Sequence, residues 1–414
     1  MNLSMRVRAT AKIEAVAPER GEALLIQFIK MYRDVVQCIV NRIWGLDNIP
    51  SEEKLHKMFY SELRRLGFRA HHVSEIYKRA KEVVEATKKN NGSKPVLKKL
   101  TARIHSLDYK IDFNAKTLRI AVLNNEWVEL KLKWYNYLDK YLDSSWRPGE
   151  ILISYRNGKI LVYITFHRDV KPIDFRAVMG VDINFNNITY TVIDLNGNLI
   201  TIGVIPFKGL KRALHLKKLA EELQKRYPKS WRFLKWVRRV RGRWLSKARN
   251  ILIDSAHRIS KKLVEIAKEY RALIVFEDLG KLKENSKHCY KLSWEKSLWC
   301  YRRVQIFAEY KAMVYGIKTV YVDPAKTSRK SPNGKKFKFI NYRFVELGGV
   351  VTSRDVVASW NIALRGLEKL KRMRGLGVML SSDSSVDEGM RIRPNAGNPG
   401  ARKIYPQIST AIHE

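Results

Sequence analysis

Residues 178–205 read VMGVDINFNNITYTVIDLNGNLITIGVI, and their pattern decides the fold class. Apolar and β-branched residues dominate, interrupted by an Asn-rich break at 184–187 and by Asn196-Gly197. Asn-Gly between two such runs is a hairpin signal, because both central residues of the tight turn need positive φ. The stretch therefore predicts three consecutive strands. A long helical region follows from about Leu210 to Tyr270, then a buried strand, ALIVFED, at 272–278. A basic and aromatic helical stretch comes next, then the strand KTVYVDP at 318–324. After a loop, SRDVVASWNIALRGLEKLKRM (353–373) has the spacing of a helix, with Ser353 as its N-cap.

Three strands, helix, strand, helix, strand, helix is the element order of the ribonuclease H fold. In that fold, acids at strand ends and on a late helix converge on one edge of the sheet. Here Asp182 lies in the first strand, Glu277 ends the run ALIVFE, and Asp355 opens the last helix. They are far apart in sequence, so only folding can assemble them. Phosphodiester hydrolysis supplies a chemical reason for the cluster. Two divalent ions can activate water and stabilise the leaving oxygen, and magnesium, or manganese in its place, takes hard carboxylate oxygens. Three crowded carboxylates would repel one another without a cation. Asp278 and Asp323 read as solvent-facing or supporting acids, and His257 as a packed helix histidine.

Working towards the N-terminus, EILISYRN-GK-ILVYITF, ending at Phe166, is a second Asn-Gly hairpin. The runs KTLRIAVL and WVELKLKW are further strands, and residues 5–16 (MRVRATAKIEAV) alternate like one. Between them lies helix. A stripe of Leu24, Leu25, Phe28, Ile29, Tyr32, Val36 and Val40 marks the stretch from Glu19 to about Trp44, with more helix at 52–65 and 74–88. A β-barrel-like module split by a helical insert is the reading. Beyond Gly375 the chain is rich in Ser, Gly, Asn and Pro, the composition of a disordered tail.

The 414 residues suffice for two or three domains, and 45% hydrophobic content is enough for cores. The charge is the outlier: 80 Lys and Arg against 40 Asp and Glu leave a net +40. Such a chain calls for a polyanion, and nucleic acid is the obvious one. Cys38, Cys289 and Cys300 have no paired spacing, which excludes a disulfide framework and a thiolate zinc site and fits a reducing compartment. No leader-like or membrane-length apolar run is present, so the chain reads as soluble, cytoplasmic and nucleoid-associated.

Basic residues concentrate between Lys208 and Arg249, with 16 Lys or Arg against 2 Glu. Lys208, Lys211, Arg212, Lys217, Lys218, Arg232, Lys235, Arg238, Arg239, Arg241 and Arg243 are the candidate phosphate contacts there, with Arg64, Arg65 and Arg69 a second set. The interleaved Tyr227, Trp231, Phe233, Trp236 and Trp244 have the helical spacing that usually faces a core.

Several segments together resemble the TnpB (OrfB) family encoded by insertion sequences, whose nuclease core also occurs in type V CRISPR effectors. They are GEILISYRNGKILVYITF (149–166), GVDINFNNITYTVID (180–194), DSAHRISKKLVEIAKEY (254–270), IVFEDLGKLK (274–283), YVDPAKTSRKSPNG (321–334) and SRDVVASWNIALRG (353–366). The resemblance implies a RuvC-like nuclease domain over 173–374, with Asp182, Glu277 and Asp355 as its catalytic, metal-binding triad. It implies a wedge-like β-barrel domain from 1–18 and 106–172, split by a helical recognition insert at 19–105, and a tail from 375 to 414. It also implies a guide RNA derived from the element and a double-stranded DNA target. The family's zinc ribbon would fall in the loop 325–352, where no cysteine is present, so no zinc is expected. The resulting expectation is an RNA-guided, magnesium-dependent DNA endonuclease. An RNA- and DNA-binding regulator without cleavage and a strand-transferring transposase are the alternatives.

Overall fold

The computed structural model describes residues 4–278, 301–325, 327–332, 338–341, 343–347 and 349–375. The tail from residue 376, Cys289 and Cys300 lie outside the described residues. Among the described residues the chain divides into two compact units, one from Arg6 to Asp169 and the other from Val170 to Gly375.

The first unit contains β1 (Met5–Val16), α1 (Glu19–Trp44), α2 (Glu52–Arg65), α3 (Ala70–Lys88), β2 (Leu100–Ile104), β3 (Tyr109–Asp112), β4 (Thr117–Ala121), β5 (Trp127–Leu132), β6 (Arg147–Arg156) and β7 (Lys159–Val170). Its strands form one seven-stranded sheet in the order β2-β6-β7-β1-β5-β4-β3. The hairpin read from Asn157-Gly158 joins β6 to β7, with both residues at positive φ (53° and 72°). In α1 the expected stripe is buried, with Leu25, Phe28, Ile29, Tyr32, Val36 and Val40 in the core; Leu24 at its margin is half-buried. The three helices do form an insert between β1 and β2. One boundary differs from the sequence reading: β2 lies inside 19–105 yet belongs to the sheet, paired along its whole length with β6. Five residues that carry Arg103 among small and apolar ones hold too little alternation to announce a strand. The ladder to a distant partner makes it one.

The second unit contains β8 (Ala177–Ile183), β9 (Asn187–Asp194), β10 (Leu199–Pro206), α4 (Leu210–Arg226), α5 (Lys235–Glu269), β11 (Ala272–Glu277), α6 (Tyr301–Val314), β12 (Thr319–Val322), the small sheet β13 (Lys338–Phe339), β14 (Phe344–Leu347) and β15 (Val350–Ser353), and α7 (Arg354–Gly375). The main sheet runs β10-β9-β8-β11-β12; the first three strands are antiparallel, and β8, β11 and β12 are parallel. The expected single helical region is two helices. Pro228 has no N–H to continue α4, and the chain turns at 227–234 before α5.

β8 is covered on both faces, which is why AVMGVDI is almost continuously apolar. Ala177, Met179 and Val181 point into a core shared with α4, α5 and α6. Val178, with Leu273 and Val275 of β11, packs under α7 against Ile362, Ala363, Leu367 and Leu370. Gly180 lies on this second face. A Cβ there would collide with the carbonyl of Ser359 and the backbone of Ala363; one at Gly366 would strike Val275. Two missing side chains thus let α7 settle directly on the sheet, and the buried Thr191 and Ser359 hydroxyls bond across the contact at 2.6 Å.

Gly180→Ala is therefore expected to destabilise this unit by about 3 kcal/mol, since the clash is with backbone that cannot rotate away. Gly242→Ala, in α5 with open space around its Cα, is the control and should be neutral or stabilising by about 0.5–1 kcal/mol. Denaturant unfolding measures both. Equal midpoints for Gly180→Ala and wild type would refute the close packing.

Candidate functional site

The close approach of α7 also places the acids. Side chains two apart on a strand share a face, so Asp182 follows Gly180 on the α7 side of β8, about 6.6 Å along. On α7, Asp355 is one turn before Ser359, about 6 Å along the same helix face. The two displacements match, so the contact at Gly180 and Ser359 brings the start of α7 over Asp182. On the other side, Phe276 pairs with Val181 in the parallel ladder, and the next step of that register sets Glu277 beside Asp182. β8, β11 and α7 thereby deliver one carboxylate each to one sheet edge.

Asp182 is partly exposed by area but closely surrounded by protein, and its carboxyl is pushed up to about 8. Burial is the main cause, followed by the charges of Glu277 and Asp355. Glu277 and Asp355 are also raised, again chiefly by burial. The charges of Glu277 and Asp355 add to the burial that raises Asp182. Hydrogen bonds oppose these shifts. The Asn184 amide donates to Asp182 Oδ2 at 3.0 Å and also bonds to Asp355, tying the two acids together. The Thr327 hydroxyl donates to Glu277 Oε1 at 2.7 Å, and the Gln305 amide donates to the Glu277 carbonyl at 2.8 Å. Among the described residues no three His, Cys, Asp or Glu side chains stand close enough to grip one ion together. The acids are within electrostatic reach of one another without forming a closed cage.

Asn184 and Thr327 are the residues that sequence reasoning missed. The Asn-rich break after β8 was a usable signal for Asn184; nothing local pointed to Thr327. Thr327 belongs to the segment 325–332, where the resemblance would put the start of a zinc ribbon. That segment is held by other means. Asn361 of α7 donates to the carbonyls of Thr327 and Lys330, both at 2.7 Å, Arg365 donates to those of Asp323 and Ala325, and Arg354 reaches Ser328. Thr327 and Ser331 are buried. Asp323 accepts from the Ala325 amide and its charge raises Glu277, while the Asp278 backbone continues the ladder to Val322. His257 is packed: its ring stacks on Phe307 at 3.9 Å and burial depresses its pKa to about 4.

Of the basic candidates, Lys208, Lys211, Arg212, Lys218, Arg232, Lys235, Arg238, Arg239 and Arg243 are exposed, as are Arg64 and Arg65 in the first unit. Lys217 and Arg241 are half-buried; Lys217 pairs with Glu221, and Lys218 with Glu222. Arg69 does not fit the phosphate-contacting role. It faces the buried Asp108 at 3.4 Å and lies over the Trp127 ring, so its charge serves the interior. The aromatic reading is overturned in part. Trp244 packs against the core, but Phe233 is 83% exposed and Trp236 51% exposed. No helix among the described residues is long and apolar enough to cross a membrane.

Residues 301–362, which carry Thr327, Asp355 and Asn361, match the family described as Cas12f1-like, TNB domain. A TnpB-like protein of Methanocaldococcus jannaschii is 29% identical over 285 residues, which cover 66% of this chain and 97% of that one. The chain is similar to TnpB-like proteins over about two thirds of its length. Its relatives extend to the type V effectors: a CRISPR-associated endodeoxyribonuclease, Cas12f2, of a Micrarchaeota archaeon is 29% identical over 185 residues, 42% of the TnpB-like chain and 32% of its own length. The fold of Cas12f1, seen in a cryo-EM complex with a single guide RNA and target DNA, superposes with a TM-score of 0.55. That superposition covers 87% of the TnpB-like chain and 99% of Cas12f1 at 11% identity, so the architecture is shared over nearly the whole molecule.

Proposed function

We propose that this chain is a member of the TnpB family and an RNA-guided, magnesium-dependent DNA endonuclease associated with a transposable element. In this reading the second unit is a RuvC-like domain of the ribonuclease H type, and the first a wedge-like domain with a helical insert. The observation that carries the proposal is that Asp182, on β8, feels the charges of Glu277 on β11 and Asp355 on α7, and is raised to about 8. Acids raised this way, and held by an amide and a hydroxyl, form a site short of positive charge. Their hard oxygen donors suit magnesium or manganese, so the residues fit the ion that the fold implies.

When bound, the metal supplies Lewis acidity and a more acidic water. The chain supplies the rest. Asp182, Glu277 and Asp355 present their carboxylates from three rigid elements. Asn184 fixes the spacing of two of them, and Thr327 orients the third. The exposed cations of α4 and α5 are available to phosphates of RNA and DNA. The regulator reading draws on the loop without cysteines. That loop nonetheless keeps Thr327 on Glu277 through Asn361 and Arg365, which favours retained cleavage.

The test is cleavage of a plasmid library, carrying the target beside randomised flanks, by the protein with its co-purified RNA. Double-strand breaks are expected with magnesium or manganese and none with EDTA. RNA and target bound, but no cutting with either ion, would replace this proposal with the binding regulator.

A further inference from the structure

The turn between α4 and α5 holds a surface that the carboxylate site does not use. From Leu223 to Ile253 the chain carries 11 Lys or Arg and no Asp or Glu. Arg232, Lys235, Arg238 and Arg239 are exposed there, and none of them has a carboxylate partner among the described residues. In the same place Phe233 is 83% exposed and Trp236 51% exposed. Large rings left in water beside unpaired cations are costly unless something covers them.

The backbone of the turn and two of its rings have defined partners. Trp236 meets Tyr227 edge-on, with centroids 5.5 Å apart at 84°. Trp231 lies under two guanidinium groups, Arg241 at 4.8 Å and Arg232 at 5.5 Å from its centroid. The Ser230 carbonyl accepts from the amides of both Phe233 and Leu234, and the Trp231 amide donates to the Tyr227 carbonyl. Arg241 Nε is buried without a hydrogen-bond partner. The turn thus presents flat faces within a field of positive charge, with Trp236 braced by Tyr227 and the backbone at Phe233 held by Ser230. A paired duplex offers no base faces inside its stack, whereas an unpaired strand offers both base faces and phosphates.

We propose that the α4–α5 turn is a stacking platform for unpaired bases of a nucleic-acid strand, with Phe233 and Trp236 as the open rings and Arg232, Lys235, Arg238 and Arg239 holding the flanking phosphates. It rests on the nucleic-acid reading above and adds to it a place and a chemical preference: base faces rather than backbone alone.

The full chain, stripped of co-purified RNA by nuclease and high salt, is titrated against labelled oligothymidylate, an abasic strand with the same phosphates, and a paired duplex. Phe233→Ala and Trp236→Ala should each weaken oligothymidylate binding roughly 5- to 100-fold. The abasic strand and the duplex should change less than about twofold, because their phosphate contacts are untouched. Trp236→Phe keeps a ring and should restore most of the loss. Unchanged thermal unfolding is expected for all three variants, since both rings are exposed.

Equal losses on base-bearing and abasic strands, or no loss on either, would overturn the platform. So would ring-dependent binding to phosphatidylglycerol vesicles without ring-dependent binding to oligothymidylate, which would make the turn a membrane contact. If wild type cuts its target and only the ring dependence is missing, the platform alone fails. If ring-dependent binding is found and no cleavage, the nuclease reading alone fails.

Discussion

Replacing Asp182, Glu277 or Asp355 by alanine is expected to lower DNA cleavage on the order of a thousandfold or more, with RNA and DNA binding largely intact. A carboxylate that helps hold a metal acts on the transition state, so its loss falls on the chemical step. Guide and target contacts are spread over many basic residues that these variants leave alone. Asp278→Ala and Asp323→Ala are the controls and should lose far less, because Asp278 joins the sheet ladder through its backbone and Asp323 holds the turn at Ala325 and reaches Glu277 only through its charge. Single-turnover cleavage with saturating enzyme measures the effect; variants that cut at the wild-type rate would remove these residues from the site.

Asp182 also carries a stability signature. With its folded pKa raised to about 8, Asp182 keeps in the fold a proton that the unfolded chain has already released. Metal-free stability therefore falls as pH rises from the ordinary carboxylate range towards 8. Asp182→Asn removes that slope, so at pH 8 without metal it should melt at or above the wild-type temperature. A lower melting temperature under those conditions would contradict the proposed charge crowding.

A second large effect concerns salt. Raising it from about 50 to 200 mM is expected to weaken RNA binding a thousandfold to a hundred-thousandfold, with log affinity linear in log salt. The net charge of +40 and the exposed cations along α4 and α5 are the reason, since each neutralised phosphate releases a counterion. Replacing Arg238, Arg239 or Arg243 with glutamine should each make the slope shallower by roughly 0.7–0.9. Arg69→Gln should change stability more than slope, because Arg69 faces the buried Asp108. A slope near zero in equilibrium titrations would sink the electrostatic account.

Much of this was legible before any folding was considered. The Asn157-Gly158 turn, the alternation of β1 and the stripe of α1 depend on local residue types and on periods of 2 and 3.6, which the chain writes directly. The three acids were legible as well, because strand ends and a helix start are visible in the pattern. The break of α4 at Pro228 is a signal of the same local kind, which the reading of one continuous helical region leaves unused.

The sequence by itself therefore determined the order and type of most elements, the net charge of +40 and the identity of the candidate acids. Tertiary structure decided the rest. Only the ladder to β6 made β2 a strand. Only the seat of α7 on Gly180 set Asp355 over Asp182, and only the path of the loop brought Thr327 to Glu277. Trp244 and Trp236 are alike in pattern, yet one is packed against the core and the other is open to water. The physical reason is common to all four. Periodicity states which side chains share a face, but whether that face meets another element depends on contacts between residues distant in the chain.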